Sequence, residues 1–312
     1  MKVAVVITLS KNLVHYCKAL VASIKYFNSE LPIIIIKDGS FSIPEFRGVE
    51  NIFIEDSKDF NKLHNLDLYI LLSKLNILYL PEMGYDYDYY VHLDADSILT
   101  NKIDLFSNEI YDFYILQGAL KNYNEGNTKK FINQYAFNPD DFPEYQFDLK
   151  NFYFFSASHI ALHKRIFPIL KEYLIKHRFE LNKIFLNDKR IRFNDQGFLN
   201  LITNVLSFNK ELKIKVNNCG IYGKETPENY PLLNLNNIIN KVNTEVLFIH
   251  YTGPSRKLSL RDHNYGDILV YFSIMFYKNN ILSYYLSELK RKYNYYLKKI
   301  INKINFLVKK YK

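Results

Sequence analysis

Cysteine is rare in this chain. Only Cys17 and Cys219 occur among its 312 residues. They lie far apart and lack the spacing of a metal-binding motif, which excludes a disulfide-stapled fold and a cysteine-rich zinc site. Buried, unpaired thiols are ordinary in a reducing compartment, and we expect one here.

Glycine-rich loops and long apolar runs are missing as well. The ten glycines form neither a G-x-G-x-x-G pattern nor a P-loop, so any nucleotide is bound without these loops. No apolar run approaches the about 20 residues of a membrane span. The opening MKVAVVITLS is too short for a signal peptide, and no small-residue cleavage site follows it. We therefore expect a cytoplasmic protein.

Acidic residues are absent from Lys290 to the end of the sequence, where nine basic residues occur. These nine equal the whole net charge of +9, so residues 1–289 are neutral overall. A nucleic-acid-binding protein more often carries its positive charge on the folded surface, so we expect no nucleic-acid partner.

The N-terminal part alternates between strand and helix patterns. Residues 3–9 and 31–39 are typical of buried strands, and residues 10–27 between them have helical spacing with Ser10 as the N-cap. This order predicts a βαβ unit and a parallel sheet. Further strands are predicted at 51–56, 89–99, 113–118, 152–162 and 245–253, and further helices at 65–80, 164–187, 194–206 and beyond 265.

Two aspartates lie one residue apart in YYVHLDADSIL (89–99). Residues i and i+2 of a strand point to the same side, so Asp94 and Asp96 are expected to converge. Two carboxylates about 4 Å apart at an effective dielectric of about 20 repel by roughly 4 kcal/mol. The apolar flanks limit solvation, so a divalent cation between them is the simplest solution, and oxygen ligands favour Mg²⁺ or Mn²⁺.

Two other interpretations of the aspartate pair remain open. One is an exposed turn with two solvated acids. The other is a glycosidase pair, whose carboxylates face each other across a sugar and usually come from different strands. Two aspartates on one strand fit that arrangement poorly.

Four segments, in this order along the chain, resemble motifs of glycosyltransferase family 8. This family has the GT-A fold and includes glycogenin and lipopolysaccharide glucosyl- and galactosyltransferases. LLSKLNILYLP (71–81) resembles the stretch before the Asp-x-Asp strand, with Lys74 in the place of an Arg, and HLDADSIL (92–99) resembles that strand.

The other two segments depart from the family pattern. NDQGFLN (194–200) resembles Asp-Gln-Asp-x-Leu-Asn, with Gly197 in the place of the second Asp. HYTGPSRK (250–257) resembles His-x-x-Gly-x-x-Lys-Pro-Trp, but the Pro-Trp is missing and the Lys place falls on Arg256, with Lys257 next to it. The resemblance covers about residues 1–260.

The resemblance implies a UDP-sugar donor and Mn²⁺ on its diphosphate, with Mg²⁺ as the alternative. Asp94 and Asp96 would hold the metal. His250 ends a predicted strand and is the expected third ligand, because imidazole beside carboxylates suits Mn²⁺ better than Mg²⁺. Asp195 and Gln196 would line the sugar and the acceptor as the catalytic pair. The implied donor-binding residues are Thr8, Leu9, Lys74, Asp94, Ser156, Gly253, Arg256 and Lys257.

The end of the chain predicts a basic amphipathic helix that fits an anionic membrane surface. Packing on the body or on a partner is the alternative. Its apolar positions recur every three or four residues, with lysines between them: Leu289, Tyr293, Leu297, Ile300, Ile304, Leu307 and Tyr311.

These patterns together predict an α/β GT-A domain at 1–264, a mixed sheet flanked by helices, and a helical membrane-association region at 265–312. The expected activity is transfer of a hexose, glucose or galactose, from a UDP-sugar to a glycan or glycolipid such as lipopolysaccharide, with retention, at the inner face of the membrane. The alternatives are an inverting GT-A transferase and a catalytically inactive membrane-associated binding protein of the same fold.

Overall fold

A computed structural model describes residues 1–63, 70–106, 109–118, 130, 132–182, 190–192, 195–252, 259–278 and 280–310. Its strands are β1 (Val3–Ser10), β2 (Ile33–Asp38), β3 (Ile52–Asp56), β4 (Tyr89–Asp94), β5 (Ser97–Leu99), β6 (Phe113–Ile115), β7 (His159–His163), β8 (Ile214–Val216), β9 (Gly220–Tyr222) and β10 (Phe248–His250). Its helices are α1 (Val14–Phe27), α2 (Ser57–Leu63), α3 (Phe167–Lys176), α4 (Arg178–Asn182), α5 (Asp195–Phe208), α6 (Leu235–Ile239), α7 (Gly266–Phe276) and α8 (Ile281–Lys310), and Ile70–Met83 forms a 3₁₀ helix.

Seven strands form a mixed sheet in the order β3-β2-β1-β4-β7-β6-β8. The four strands from β3 to β4 are parallel, whereas β7 runs antiparallel to β4 and β6. The β-branched runs of β1 and β2 are buried on both faces, as parallel strands under helices require. The predicted mixed α/β sheet is confirmed.

A second sheet of three strands, in the order β5-β10-β9, lies beside the first. The chain passes from β4 into β5 through a two-residue turn at Ala95 and Asp96. Strand β5 pairs antiparallel with β10, so that Ser97 lies opposite His250. This pairing brings residues far apart in the sequence to the carboxyl end of β4.

Helices cover both faces of the large sheet. On one face, Leu20 and Ile24 of α1 share a core with Val5 and Ile7 of β1. Residues four apart in a helix and two apart in a strand each lie on one side of their element, so the two pairs face each other. The outer side of α1 packs on α7, where Ala19 shares a core with Leu269. The 3₁₀ helix, α3 and α5 cover the opposite face.

The structure corrects several sequence-based boundaries. Ser10 makes no side-chain cap, because Lys11–Leu13 form a 3₁₀ turn and α1 starts at Val14. The segment predicted as a helix ending at Pro81 is a 3₁₀ helix running to Met83, and residues 64–69 lie outside the described part. Strand β7 begins only at His159, and the helix predicted over 164–187 is divided into a 3₁₀ turn, α3 and α4.

The last helix, α8, is joined to the body at its start. Tyr284 is buried, and the Tyr277 hydroxyl donates to Ser287 Oγ at 2.8 Å. The described side chains from Tyr293 to Ile304 are exposed. No helix among the described residues is both long enough and apolar enough to pass through a bilayer.

Candidate functional site

Asp94, Asp96 and His250 meet where the two sheets adjoin. Asp94 is the last residue of β4, Asp96 lies in the turn after it, and His250 ends β10. His250 Nε2 lies 3.7 Å from Asp94 Oδ2 and 3.6 Å from Asp96 Oδ1. One ligand atom from each of the three residues lies within 4.8 Å of the others. The structure therefore brings together the three predicted metal ligands.

The aspartates converge by a different route from the one that strand alternation predicts. Strand β4 ends at Asp94, and Ala95 and Asp96 form a turn instead of continuing the pleat. Asp96 is fully buried, and its carbonyl accepts from the Tyr251 amide at 2.8 Å. The turn, held by the strand beside it, aims the Asp96 carboxylate back toward Asp94.

These three side chains fit a divalent cation. Within the described residues, His250 Nε2 has no hydrogen bond and faces two carboxylate oxygens, and a divalent cation between the three atoms would be attracted by both carboxylates. Two oxygens and one imidazole nitrogen suit Mn²⁺ better than Mg²⁺, which prefers oxygen ligands. The set leaves coordination positions for water or phosphate oxygens.

Lys74 lies between two of the acids. Its Nζ is 3.0 Å from Asp94 Oδ1 and 3.0 Å from Asp195 Oδ2. The three side chains are 24%, 18% and 14% exposed, in the order Lys74, Asp94, Asp195. Because Lys74 engages Oδ1 of Asp94, the other oxygen, Oδ2, is the one that faces His250. The lysine thus orients a predicted metal ligand.

Burial and the Lys74 charge act differently on the two acids. At Asp94 burial opposes ionisation, but Lys74 and then His250 outweigh it and hold the pKa well below its usual range. At Asp195 burial is the larger effect and raises the pKa, although Lys74 opposes it. Asp94 is therefore ionised, as a metal ligand must be.

Asp195 and Gln196 form the first turn of α5, as the sequence predicts. A carboxylate at this end of a helix is favoured by the helix dipole. Gln196 Nε2 donates to the Tyr135 carbonyl at 3.1 Å. Through Lys74, Asp195 is linked to the predicted metal ligand Asp94.

Thr8 and Leu9 lie at the carboxyl end of β1, and Thr8 is in register with Asp94. The Thr8 hydroxyl lies 3.2 Å from His92 Nε2. Leu9 is fully buried and shares a core with Val5 and Ile7, so its side chain belongs to the core.

Ser156 lies in the loop before β7, where its hydroxyl donates to Ser158 Oγ at 2.9 Å. The backbone amide of Ser156 donates to the Gln117 carbonyl at 3.2 Å. The predicted donor-binding residues Gly253, Arg256 and Lys257 lie outside the described residues.

Gly197 explains one departure from the family motif. A Cβ at this position would lie 2.0 Å from the Arg192 carbonyl oxygen and 2.6 Å from that of Ala136. The Arg192 amide donates to the same Ala136 carbonyl at 2.7 Å. Backbone thus occupies the space that an aspartate side chain would need, and the family's second Asp has no room here.

Sequence reasoning missed a group of buried polar side chains beside the predicted metal ligands. His92 in β4, His159 in β7 and Gln117 after β6 are each at most 1% exposed. Burial lowers the pKa of His92 to about 4 and that of His159 well below its usual range. A histidine or glutamine inside an apolar strand pattern was the signal that could have revealed them, because buried polar groups need partners.

No protein-family model and no curated protein sequence matches the chain. Solved structures do match it. The WbbM bifunctional glycosyltransferase has a TM-score of 0.53 at 15% identity, over 90% of this chain and 52% of that one. The galactosyltransferase LgtC, in complex with donor and acceptor sugar analogs, has a TM-score of 0.52 at 17% identity, over 86% of this chain and 95% of that one.

A third match is GlyE of Streptococcus pneumoniae, with a TM-score of 0.51 at 14% identity, over 88% of this chain and 60% of that one. The chain spans about half the length of WbbM and nearly all of LgtC. At these identities the likeness establishes architecture. This chain has the GT-A fold of the glycosyltransferases that its motifs resemble.

Proposed function

We propose that this protein is a metal-dependent glycosyltransferase that moves a hexose, glucose or galactose, from a UDP-sugar to a glycan or glycolipid acceptor such as lipopolysaccharide. One observation carries the proposal: Asp94, Asp96 and His250 converge at the carboxyl end of the strands in a GT-A fold. Ligands of open α/β sheets bind at this end.

Mn²⁺, when bound, would neutralise the charge that develops on the departing diphosphate. Asp94, Asp96 and His250 would hold it. Gly253 would let the backbone approach the phosphates, and Arg256 or Lys257 would supply a further positive charge. The structural neighbours WbbM and LgtC are glycosyltransferases, and LgtC was solved with donor and acceptor sugar analogs.

The sugar and acceptor would lie near the first turn of α5. Asp195 and Gln196 are the proposed catalytic pair, while Lys74, Ser156, Thr8 and Leu9 are proposed to contact the donor. The family resemblance favours retention of the anomeric configuration. An inverting reaction is the second candidate, and it would need a catalytic base in the acceptor pocket.

We also propose that α8 attaches the enzyme to an anionic membrane at the inner face. The exposed apolar side chains in the second half of α8, with lysines around them, support this attachment. A lipid-linked acceptor would then be presented close to the catalytic domain. Region 1–264 would form the transferase part and region 265–312 the membrane-association part, whose first helix, α7, packs on α1.

The activity is tested by incubating the purified protein with a panel of UDP-sugars, an acceptor extract and Mn²⁺, and measuring UDP release with and without a chelator. Asp94→Asn and Asp96→Asn should each reduce Mn²⁺-dependent release at least about 100-fold, because a neutral amide is a weaker ligand. The matched control is Asp86→Asn, whose carboxylate is 67% exposed and pairs with Lys164; it should keep full activity.

Thermal unfolding of each variant without metal shows whether the substitution has disturbed the fold or has only removed a metal ligand. UDP release that survives both the chelator and the two substitutions would contradict the metal-dependent reaction. No release with any donor would favour an inactive binding protein of the same fold. The anomer of the product, determined by NMR, distinguishes retention from inversion.

A further inference from the structure

Gln117 lies directly behind the metal-binding histidine. It follows β6 by two residues and is 1% exposed. Its main chain is fixed on one side, because its carbonyl accepts from the Ser156 amide at 3.2 Å. The preceding residue, Leu116, donates its amide to the His159 carbonyl at 3.2 Å. The side chain is thus held between β7 and β10.

One oxygen of this amide contacts two imidazole rings. Gln117 Oε1 is 2.9 Å from His159 Nδ1 and 3.1 Å from His250 Nδ1. A carbonyl oxygen only accepts, so both Nδ1 atoms carry the proton. In neutral rings both Nε2 atoms then present a lone pair.

The two Nε2 lone pairs have different surroundings. His159 Nε2 lies 2.7 Å from Ser97 Oγ and accepts a hydrogen bond from that hydroxyl. His250 Nε2 faces Asp94 and Asp96 at 3.7 and 3.6 Å. The first nitrogen is satisfied within the protein, and the second remains available to a metal ion.

The opposite orientation of the Gln117 amide would prevent His250 from binding a metal ion. If the Gln117 nitrogen faced the two rings, His250 would carry its proton on Nε2, between the carboxylates, where it could not bind a metal. A carboxylate at position 117 would hold the rings equally well but would add a buried negative charge near three acids. A neutral amide holds the tautomer without that charge.

We propose that Gln117 is a positioning residue that fixes His250 in its Nδ1–H tautomer and aims Nε2 at the metal. The inference rests on the proposed metal site. Removal of a residue that hydrogen-bonds a metal ligand in this way typically weakens metal binding about 10- to 100-fold.

The first test needs no metal. In the full-length protein labelled with ¹⁵N-histidine, long-range ¹H–¹⁵N correlation spectra report which ring nitrogen carries the proton, and the His250 signal is assigned by its absence in His250→Asn. Metal-free wild type should show His250 with Nδ1–H and bare Nε2. A dominant Nε2–H form would overturn the proposal.

The second test measures Mn²⁺ binding alone, by EPR counting of free Mn²⁺. Gln117→Leu should weaken Mn²⁺ binding about 10- to 100-fold. It should also allow His250 to populate the Nε2–H tautomer. Gln117→Glu, which keeps an acceptor for both rings, should retain the Nδ1–H tautomer of His250. Ser97→Ala removes only the distal bond to His159 and should leave Mn²⁺ affinity within about threefold of wild type.

The outcomes separate the two proposals. If Gln117→Leu leaves both the tautomer and the affinity unchanged, Gln117 is not a positioning residue. If wild type itself binds no Mn²⁺, the proposed metal site fails, while the tautomer measurement still decides the role of Gln117. Should Gln117→Leu not fold, Gln117→Glu and the wild-type tautomer still give the answer.

Discussion

At the scale of single residues, Gly197 carries the clearest departure from the family motif. It lies in the first helical turn of α5, beside the proposed catalytic pair. A missing acid could indicate lost activity, but here the backbone of Ala136 and Arg192 fills the place of the side chain. The chain segments that contain Ala136 and Arg192 are therefore packed against the helix where the motif has its second Asp.

Gly197→Ala is expected to lower the free energy of unfolding. At an open helical position, alanine in place of glycine would stabilise by about 1 kcal/mol. Here the added Cβ would lie 2.0 Å from a carbonyl oxygen, so we expect destabilisation of roughly 1–3 kcal/mol. Urea denaturation measures the difference.

Ser207→Ala, in the last turns of the same helix, is the control and should change stability by less than about 0.5 kcal/mol. A stabilised Gly197→Ala variant would mean that the backbone contact is absent. Gly197→Asp should be worse than Gly197→Ala and should not increase transfer, because the carboxylate has no room.

At the scale of elements, α8 has two distinct parts. Its beginning is held by Tyr284, which is 3% exposed, and by the bond between Tyr277 and Ser287. Tyr293, Leu297 and Ile300 further along are 65%, 41% and 57% exposed. Spacings of four and three residues place them in one stripe on the helix.

Replacing Tyr293, Leu297 and Ile300 together by glutamine should reduce binding to anionic vesicles without unfolding the protein, because these side chains are exposed. The membrane contribution of each nearby lysine is about 1 kcal/mol, so binding of wild type should also fall with added salt. Co-sedimentation with vesicles that contain or lack phosphatidylglycerol measures both effects.

The matched control is Ile175→Gln on α3, which replaces another exposed apolar residue, 54% exposed, away from the tail. It should bind vesicles as wild type does. Equal binding by the triple variant would contradict membrane attachment through α8. A dimer that the triple substitution dissociates, seen by sedimentation, would indicate a protein partner for this helix instead.

At the scale of the whole molecule, buried neutral histidines link stability to pH. His177 is 2% exposed, and its Nε2 lies 2.7 Å from the Tyr145 hydroxyl oxygen. Burial lowers its pKa, although Glu180 opposes this. The unfolded chain therefore takes up a proton first, and stability falls as the pH drops below about 6.5.

We expect His177→Gln to lose less unfolding free energy than wild type between pH 7.5 and pH 5.5. Urea denaturation at each pH, with a chelator present so that metal release plays no part, gives the comparison. Equal losses in the two proteins would mean that His177 does not contribute to the pH dependence.

Local pattern predicted much of the fold. The buried runs of β1 and β2 with an amphipathic helix between them indicated the parallel sheet, because such runs are stable only under helices. It also placed His250 at a strand end, whereas the strand predicted over 89–99 in fact ends at Asp94. The boundaries around Ser10, Pro81 and His159 were wrong, because capping, 3₁₀ turns and strand starts depend on tertiary contacts.

The sequence by itself determined which side chains could bind a metal and that the charge excess is confined to the last helix. Tertiary structure decided how the ligands meet: a turn, not strand alternation, aims Asp96 at Asp94, and pairing of β5 with β10 brings His250 beside them. It also placed Gln117 behind His250 and the backbone of Ala136 and Arg192 against Gly197. Pairing between distant segments leaves no periodicity in the sequence, so these contacts are visible only in the folded chain.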